Sequence, residues 1–270
     1  MRLGISSYSF GWAVGVERSR PTGALTAADL IRRATALGVR VVQLCDNLPA
    51  DTWEPSNIES IAAQAQVAGI SIEVGTRGIG EVHLRRFIWV ARQLSSPILR
   101  VVIDTSDDQP EPAEIPQRLA KVIADLEGSR VTLAIENHDR LSTAALRQII
   151  QAVNSPWIGI CLDTANSLGS LEGLDAVLES LGQFVVNLHL KDVAAVRFPH
   201  LQGFTIEGRP AGQGMIDIPR LLEGLKELKR DPNAIIELWT PPEAEMQATI
   251  QKEEEWARQS VRKMRRWIED

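Results

Sequence analysis

The chain has 270 residues, with 35 acidic side chains against 29 Lys and Arg, for a formal net charge of −6. Hydrophobic residues make up 44% and charged residues 24%, a globular composition that excludes disordered and collagen-like chains. The acidic balance argues against a general nucleic-acid binder, and no apolar run reaches the ~18 residues of a membrane span.

Short, β-branched, nearly continuous apolar runs recur at Leu3–Tyr8, Arg40–Cys45, Ile70–Val74, Ile98–Ile103, Val131–Glu136, Trp157–Leu162, Val185–Leu190 and Ala234–Leu238. Such runs suit strands buried on both faces. Amphipathic stretches follow them at Leu25–Leu37, Ser56–Ala68, Glu81–Leu94, Ala113–Leu126, Thr143–Val153, Gly173–Leu181, Ile218–Leu228 and Pro242–Trp267. Thr26 is a candidate N-cap of the first and Gly38 its stop. Strand–helix units at a period of about 30 residues mean right-handed βαβ crossovers and a parallel sheet. Eight units in about 250 residues favour a single-domain (β/α)8 TIM barrel over residues 1–270. Gly75–Gly80 lacks the spacing of a dinucleotide-binding loop. The seventh strand-to-helix connection, 192–217, exceeds an ordinary loop; it is either a lid or clamp over the active face or a disordered insertion.

Catalysis in such barrels sits at the C-terminal ends of the strands. Four successive strands end in Glu136, Asp163, His189 and Glu237, so these side chains can converge on one point. Three crowded carboxylates repel one another, and a divalent cation removes that cost. Oxygen-rich ligation with one imidazole suits Mn²⁺, Mg²⁺ or Co²⁺, with Zn²⁺ also compatible. The alternative is four separate strand-end salt bridges.

The segments Ala134–His138, Ile160–Asn166, Asn187–Asp192, Gly212–Asp217 and Ile235–Trp239 resemble the xylose isomerase-like TIM barrels over essentially the whole chain. That resemblance implies metal ligation by Glu136, Asp163, His189 and Glu237. From the epimerase branch it implies an acid/base pair, Glu136 and Glu237, and a substrate-binding Arg209. The expected activity is a metal-dependent isomerisation or epimerisation of a small polyhydroxy carbonyl compound through an enediolate. The chain also loosely resembles 3-oxo-isoapionate decarboxylases, which implies loss of CO₂ from a 3-oxo sugar acid on the same site. Endonuclease IV also belongs to this group, but its three-zinc site needs more than the four histidines present.

Further candidates carry open alternatives. His138, in Asn137–Arg140, departs from the epimerase pattern and is either a substrate-binding group or a backbone-bonded strand-end histidine. Arg77 either holds a carboxylate or phosphate or lies at the surface of a Gly-rich turn. Lys191 either donates to a substrate oxygen or offsets the carboxylates. Asp46, Asn47 and Asp104 suit sugar hydroxyls, and Arg209 and His200 belong to the expected lid. Tyr8, Phe10 and Trp12 either wall the pocket or pack on the last helix, and His83 reads as a solvated helix residue. Trp256 and Trp267 pack on the barrel or on a partner copy in a homo-oligomer. The start of the sequence has no secretory core, and Cys45 and Cys161 read as buried reduced thiols, so a cytoplasmic enzyme with a small sugar or sugar-acid substrate is expected.

Overall fold

The computed structural model describes residues 1–16 and 20–269. Its elements in chain order are β1 (Leu3–Ser6), α1 (Gly11–Val14), α2 (Ala27–Leu37), β2 (Val41–Leu44), α3 (Pro55–Ala68), β3 (Ser71–Arg77), α4 (Glu81–Gln93) and β4 (Ile98–Val102). Then follow α5 (Ile115–Ala120), α6 (Ile123–Ser129), β5 (Thr132–Glu136), α7 (Thr143–Val153), β6 (Ile158–Asp163), α8 (Leu174–Leu181) and β7 (Val185–Leu190). The chain ends with β8 (Asp192–Arg197), β9 (Phe204–Arg209), α9 (Ile218–Glu227), β10 (Asn233–Ile236) and α10 (Met246–Met264).

Among the described residues, the parallel strands close in the order β1-β10-β7-β6-β5-β4-β3-β2. Side chains on alternate strand positions divide the barrel into two environments. Val42, Leu44, Ile72, Val74, Leu99 and Val101 belong to the large apolar core. The intervening positions, Gln43, Glu73, Arg100 and Asn187, are polar and fully or nearly fully buried. A small apolar cluster of Ile98, Ala134 and Cys161 shares that interior.

Local chemistry explains the helix ends. Thr26 caps α2 by accepting from the Asp29 N–H, and Gly38 ends it in the left-handed region at φ 71°. The 113–126 stretch, expected as one helix, is two, α5 and α6. The apolar spacing Ile115, Leu119, Val122 and Leu126 runs across the break, so the pattern reads as continuous.

The seventh connection differs most from expectation. Rather than a disordered insertion, 192–209 is an ordered antiparallel hairpin with Val193 opposite Gly208 and Ala195 opposite Ile206. Its base is pinned by the Asp192 carboxylate, which accepts the N–H groups of Gly212 and Gly214 at 2.8 Å and of Ile216 at 3.1 Å. Gly208 packs directly on Trp239, where a Cβ would overlap the Trp239 carbonyl. No helix among the described residues is long and apolar enough to cross a membrane.

The last helix closes the barrel through Glu253, whose buried carboxylate accepts the N–H groups of Trp12 at 3.0 Å and Ala13 at 3.1 Å. Burial pushes this carboxyl from an ordinary 4.5 up to about 7. Between those values the folded chain keeps a proton the unfolded chain has lost, so stability falls as pH rises through that window. Glu253→Gln is expected to flatten this slope in thermal melts between about pH 5 and about pH 8. Below that window it should also lower stability by ~1 kcal/mol, because its amide meets one backbone N–H as a second donor, and the deficit should close as wild-type stability falls with rising pH.

Candidate active site

The strands β10, β7, β6 and β5 lie side by side, and their register sets both Asp163 and Ile235, two residues before Glu237, opposite His189. Glu136, Asp163, His189 and Glu237 therefore meet at one end of the barrel, each at most 4% exposed. His189 Nδ1 lies 3.4 Å from Glu237 Oε2, 3.6 Å from Glu136 Oε2 and 3.7 Å from Asp163 Oδ2. The four residues expected to converge do so.

One oxygen of each carboxylate is tied down. Asp163 Oδ1 accepts the N–H groups of Ala165 and Asn166, at 2.8 and 2.9 Å. Glu136 Oε1 accepts from the Asn166 amide at 2.7 Å, and Glu237 Oε1 from the Ser6 hydroxyl at 2.9 Å. The second oxygens face the shared centre.

Lys191 fills that centre. Its Nζ lies 2.6 Å from Asp163 Oδ2, 3.0 Å from Glu237 Oε2 and 3.9 Å from Glu136 Oε1. Burial favours losing its proton, but Asp163, Glu237 and Glu136 overcome that and hold the ammonium charged. Arg100, buried inside the barrel, sits 2.9 Å from Glu136 Oε2 and 3.1 Å from Asp46 Oδ1. Burial would raise the Glu136 carboxyl, but Arg100, and after it His189, hold it well below the usual carboxylate range. Burial likewise opposes ionisation of Asp163, and Lys191 outweighs it.

The donor set fits a divalent ion. His189 Nδ1 is buried without a hydrogen-bond partner and faces three carboxylate oxygens at 3.4–3.7 Å, the arrangement of a ligand atom at a cation site. Asp163, His189 and Glu237 place one ligand atom each within 4.8 Å of one another, as do Glu136, Cys161 and His189.

Above the cluster lies a cavity of about 260 Å³ lined by Tyr8, Asp46, Arg77, Arg100, His138 and Trp239, among others. Asp46 accepts from the Tyr8 hydroxyl at 2.9 Å. Arg77 reaches Asp46 only at 3.9 Å and donates to the Asp104 carbonyl at 3.2 Å. His138 is half-buried in the pocket wall. Of the aromatic trio, Tyr8 walls the pocket, Phe10 is fully buried, and Trp12 packs toward the last helix through Glu253.

Other candidates lie elsewhere. Arg209, next to Gly208 and so on the opposite face of β9, pairs with Glu207 and is absent from the pocket wall. His200 is exposed at the hairpin tip, stacked on Phe198 at 5.4 Å. The hairpin therefore does not carry these two residues to the pocket. Asn47 pairs with Ser7, and Asp104 holds Arg140. His83 is half-buried rather than solvated, with Nε2 2.8 Å from the Thr76 hydroxyl. Arg100 and Asn166 are site residues that the strand-tip pattern did not single out. A lone arginine inside the apolar run Ile98–Ile103 is the signal that marks Arg100.

The family model described as xylose isomerase-like TIM barrel matches residues 31–267. This chain belongs to that family. It is 31% identical over 261 residues to the 3-oxo-isoapionate decarboxylase of Pectobacterium atrosepticum, covering 97% of this chain and 94% of that protein. The D-psicose 3-epimerase structure with D-tagatose from Clostridium cellulolyticum H10 superposes with a TM-score of 0.75 at 12% identity, over 99% of each chain. A xylose isomerase-like TIM barrel protein from Mycobacterium smegmatis in complex with magnesium gives 0.71 at 13% identity, over 96% of each. At these identities the structural likeness is one of fold.

A divalent ion at this centre would compete with the ammonium of Lys191 for the same carboxylate oxygens. Lys191→Met should therefore raise Mn²⁺ affinity tenfold or more (about 1.4 kcal/mol), read by titration calorimetry. Without metal the same variant should lose about 3–5 kcal/mol of stability, because buried carboxylates are left unpaired. Unchanged affinity and unchanged stability would count against Lys191 as the counter-charge.

Proposed function

We propose that this barrel is a divalent-metal-dependent carboxy-lyase of a 3-oxo sugar acid, with 3-oxo-isoapionate the first substrate to test. The observation that carries the reading is the inequality of the two glutamates. An epimerase-type shuttle, the expectation drawn from the strand-end glutamates, needs both carboxylates available as proton acceptors. Glu136 is instead locked by Arg100 at 2.9 Å and held well below the usual carboxylate range. Losing CO₂ needs no base and only one group that later returns a proton. The full-length likeness to a 3-oxo-isoapionate decarboxylase supports the same reading.

Glu136, Asp163, His189 and Glu237 would hold the ion, of Mn²⁺, Mg²⁺ or Co²⁺ type, and the bound ion supplies Lewis acidity toward substrate oxygens. Arg77 takes the substrate carboxylate, because it lines the cavity without a short ion pair of its own. The bond from C2 to the carboxylate carbon breaks, CO₂ leaves, and the electron pair spreads into the C3 carbonyl as an enediolate. Lys191, beside Glu237 at 3.0 Å, returns a proton to that carbon. Asn166 and Ser6 keep the Glu136 and Glu237 carboxylates in orientation throughout. The cavity of about 260 Å³ suits a small substrate.

Incubation of the Mn²⁺-loaded protein with 3-oxo sugar acids in D₂O, followed by NMR, tests the reaction. Carbon lost as CO₂ with deuterium at the former carboxyl-bearing position is expected. Deuterium exchange with every carbon retained would instead assign an isomerase or epimerase. In the same assay Lys191→Met should lower turnover by ~10²–10⁴ at saturating Mn²⁺, because the proton donor is lost. Glu136→Gln should act mainly on metal binding and recover as Mn²⁺ is raised.

A further inference from the structure

Below the carboxylate cluster, the barrel interior holds a second set of polar side chains. Glu73 sits fully buried on β3. Its Oε1 accepts from the Asn233 amide at 2.7 Å, and its Oε2 accepts from Asn187 at 2.8 Å and Gln43 at 3.0 Å. The orientation of these amides is fixed from outside. Arg2, which can only donate, gives its Nε–H to Asn233 Oδ1 at 3.3 Å, so the Asn233 NH₂ must face Glu73. Gln43 spends both amide hydrogens, one on Glu73 and one on Asn187 Oδ1 at 3.0 Å. Its carbonyl oxygen therefore points the other way, to His189 Nε2 at 2.8 Å.

An acceptor at Nε2 requires the ring to carry its proton there. We infer that Glu73 and Gln43 form a positioning relay, which keeps the His189 proton on Nε2 and turns the Nδ1 lone pair toward a divalent ion. The inference rests on the metal reading given above and extends it to two side chains that touch neither ion nor substrate. Second partners of this kind set the tautomer and ring orientation of metal-ligating histidines. Here the partner is an amide that cannot itself choose an orientation; the buried Glu73 carboxylate chooses for it. Removing that carboxylate is the informative change. Glu73→Gln adds an N–H to a ring of donors, and the available repair is rotation of the Gln43 amide. Rotation turns NH₂ toward Nε2, which must then accept, so the ring proton moves to Nδ1 and blocks the ligand lone pair.

The test reads the ring proton and the metal affinity rather than turnover. In ¹⁵N-labelled protein the wild type should show a protected His189 Nε2–H, both metal-free and loaded with Mg²⁺. Glu73→Gln should lose that signal in the Mg²⁺-loaded state and weaken Mn²⁺ binding by ~10–100-fold in calorimetry. Gln43→Leu, which removes the acceptor, should weaken Mn²⁺ binding over the same range and carries the test should Glu73→Gln not fold. The double variant Gln43→Glu with Glu73→Gln restores an acceptor for Nε2–H and a donor–acceptor pair between positions 43 and 73. It should recover most of the signal and the affinity. A Glu73→Gln protein that keeps the Nε2–H signal and wild-type Mn²⁺ affinity overturns the relay. So does a double variant worse than either single one. Should the wild type take up no Mn²⁺, the metal reading fails, while the relay still stands or falls on the Nε2–H signal of the metal-free protein.

Discussion

Burying three carboxylates within a few ångströms of one another is the constraint around which this end of the barrel is organised. Each ionised group loses hydration on burial, at a cost of several kcal/mol even after relaxation. The chain answers with fixed counter-charge from two directions. Arg100 approaches Glu136 and Asp46 from inside the barrel, and Lys191 enters between Asp163 and Glu237. Hydrogen bonds from Asn166, Ser6 and backbone N–H groups then fix one oxygen of each carboxylate, leaving the others directed at one centre. Separation in sequence is irrelevant to this arrangement, because β5, β6, β7 and β10 run consecutively around the sheet and their C-terminal ends open on the same end of the barrel.

That solution changes what fills the barrel. The interior of such a barrel is usually layered with branched apolar side chains. Here Gln43, Glu73, Arg100, Asn187 and His189 occupy it, and the outward strand positions facing the helices carry the apolar packing instead. A polar interior is tolerable only when nearly every donor meets an acceptor, since unsatisfied buried groups cost about 1–3 kcal/mol each. Buried side-chain atoms without a hydrogen-bond partner are few among the described residues; of these, Arg100 Nε and Glu136 Oε2 face each other as an ion pair at 2.9 Å, and His189 Nδ1 faces the carboxylate centre.

The sequence made the barrel legible because period and patterning act locally: each apolar run and each amphipathic stretch announces its own element. The convergence of Glu136, Asp163, His189 and Glu237 was also legible, since strand order places successive strand ends together. The hairpin at 192–209 was less so. Its length suggested a lid or a disordered insertion, although the alternation of Phe204, Ile206 and Gly208 with Thr205, Glu207 and Arg209 carries a strand period. That same alternation sends Arg209 to the face opposite Gly208 and Trp239, which position along the chain alone does not reveal. Arg100 and the Gln43–Glu73 pair depend on which face of a strand turns inward, and a fully buried strand hides its facing from hydropathy because both faces are dry.

The central position of Lys191 also separates folding from metal binding. Small metal-dependent domains are unfolded without their ion because nothing else offsets their ligands. In this barrel an ammonium on a flexible four-carbon stem already stands among the carboxylates, so the ligand set can assemble before any ion arrives. Entry of an ion would then require the ammonium to yield its carboxylate contacts, and the ring of Trp239, 5.5 Å from Nζ, would offer a second place for the charge. Trp239 is partly exposed and lines the cavity, so an ammonium moved toward it stays beside the substrate. On the proposed reading, the counter-charge that an ion would displace and the proton donor are thus one side chain, which would link occupation of the site to readiness for proton return.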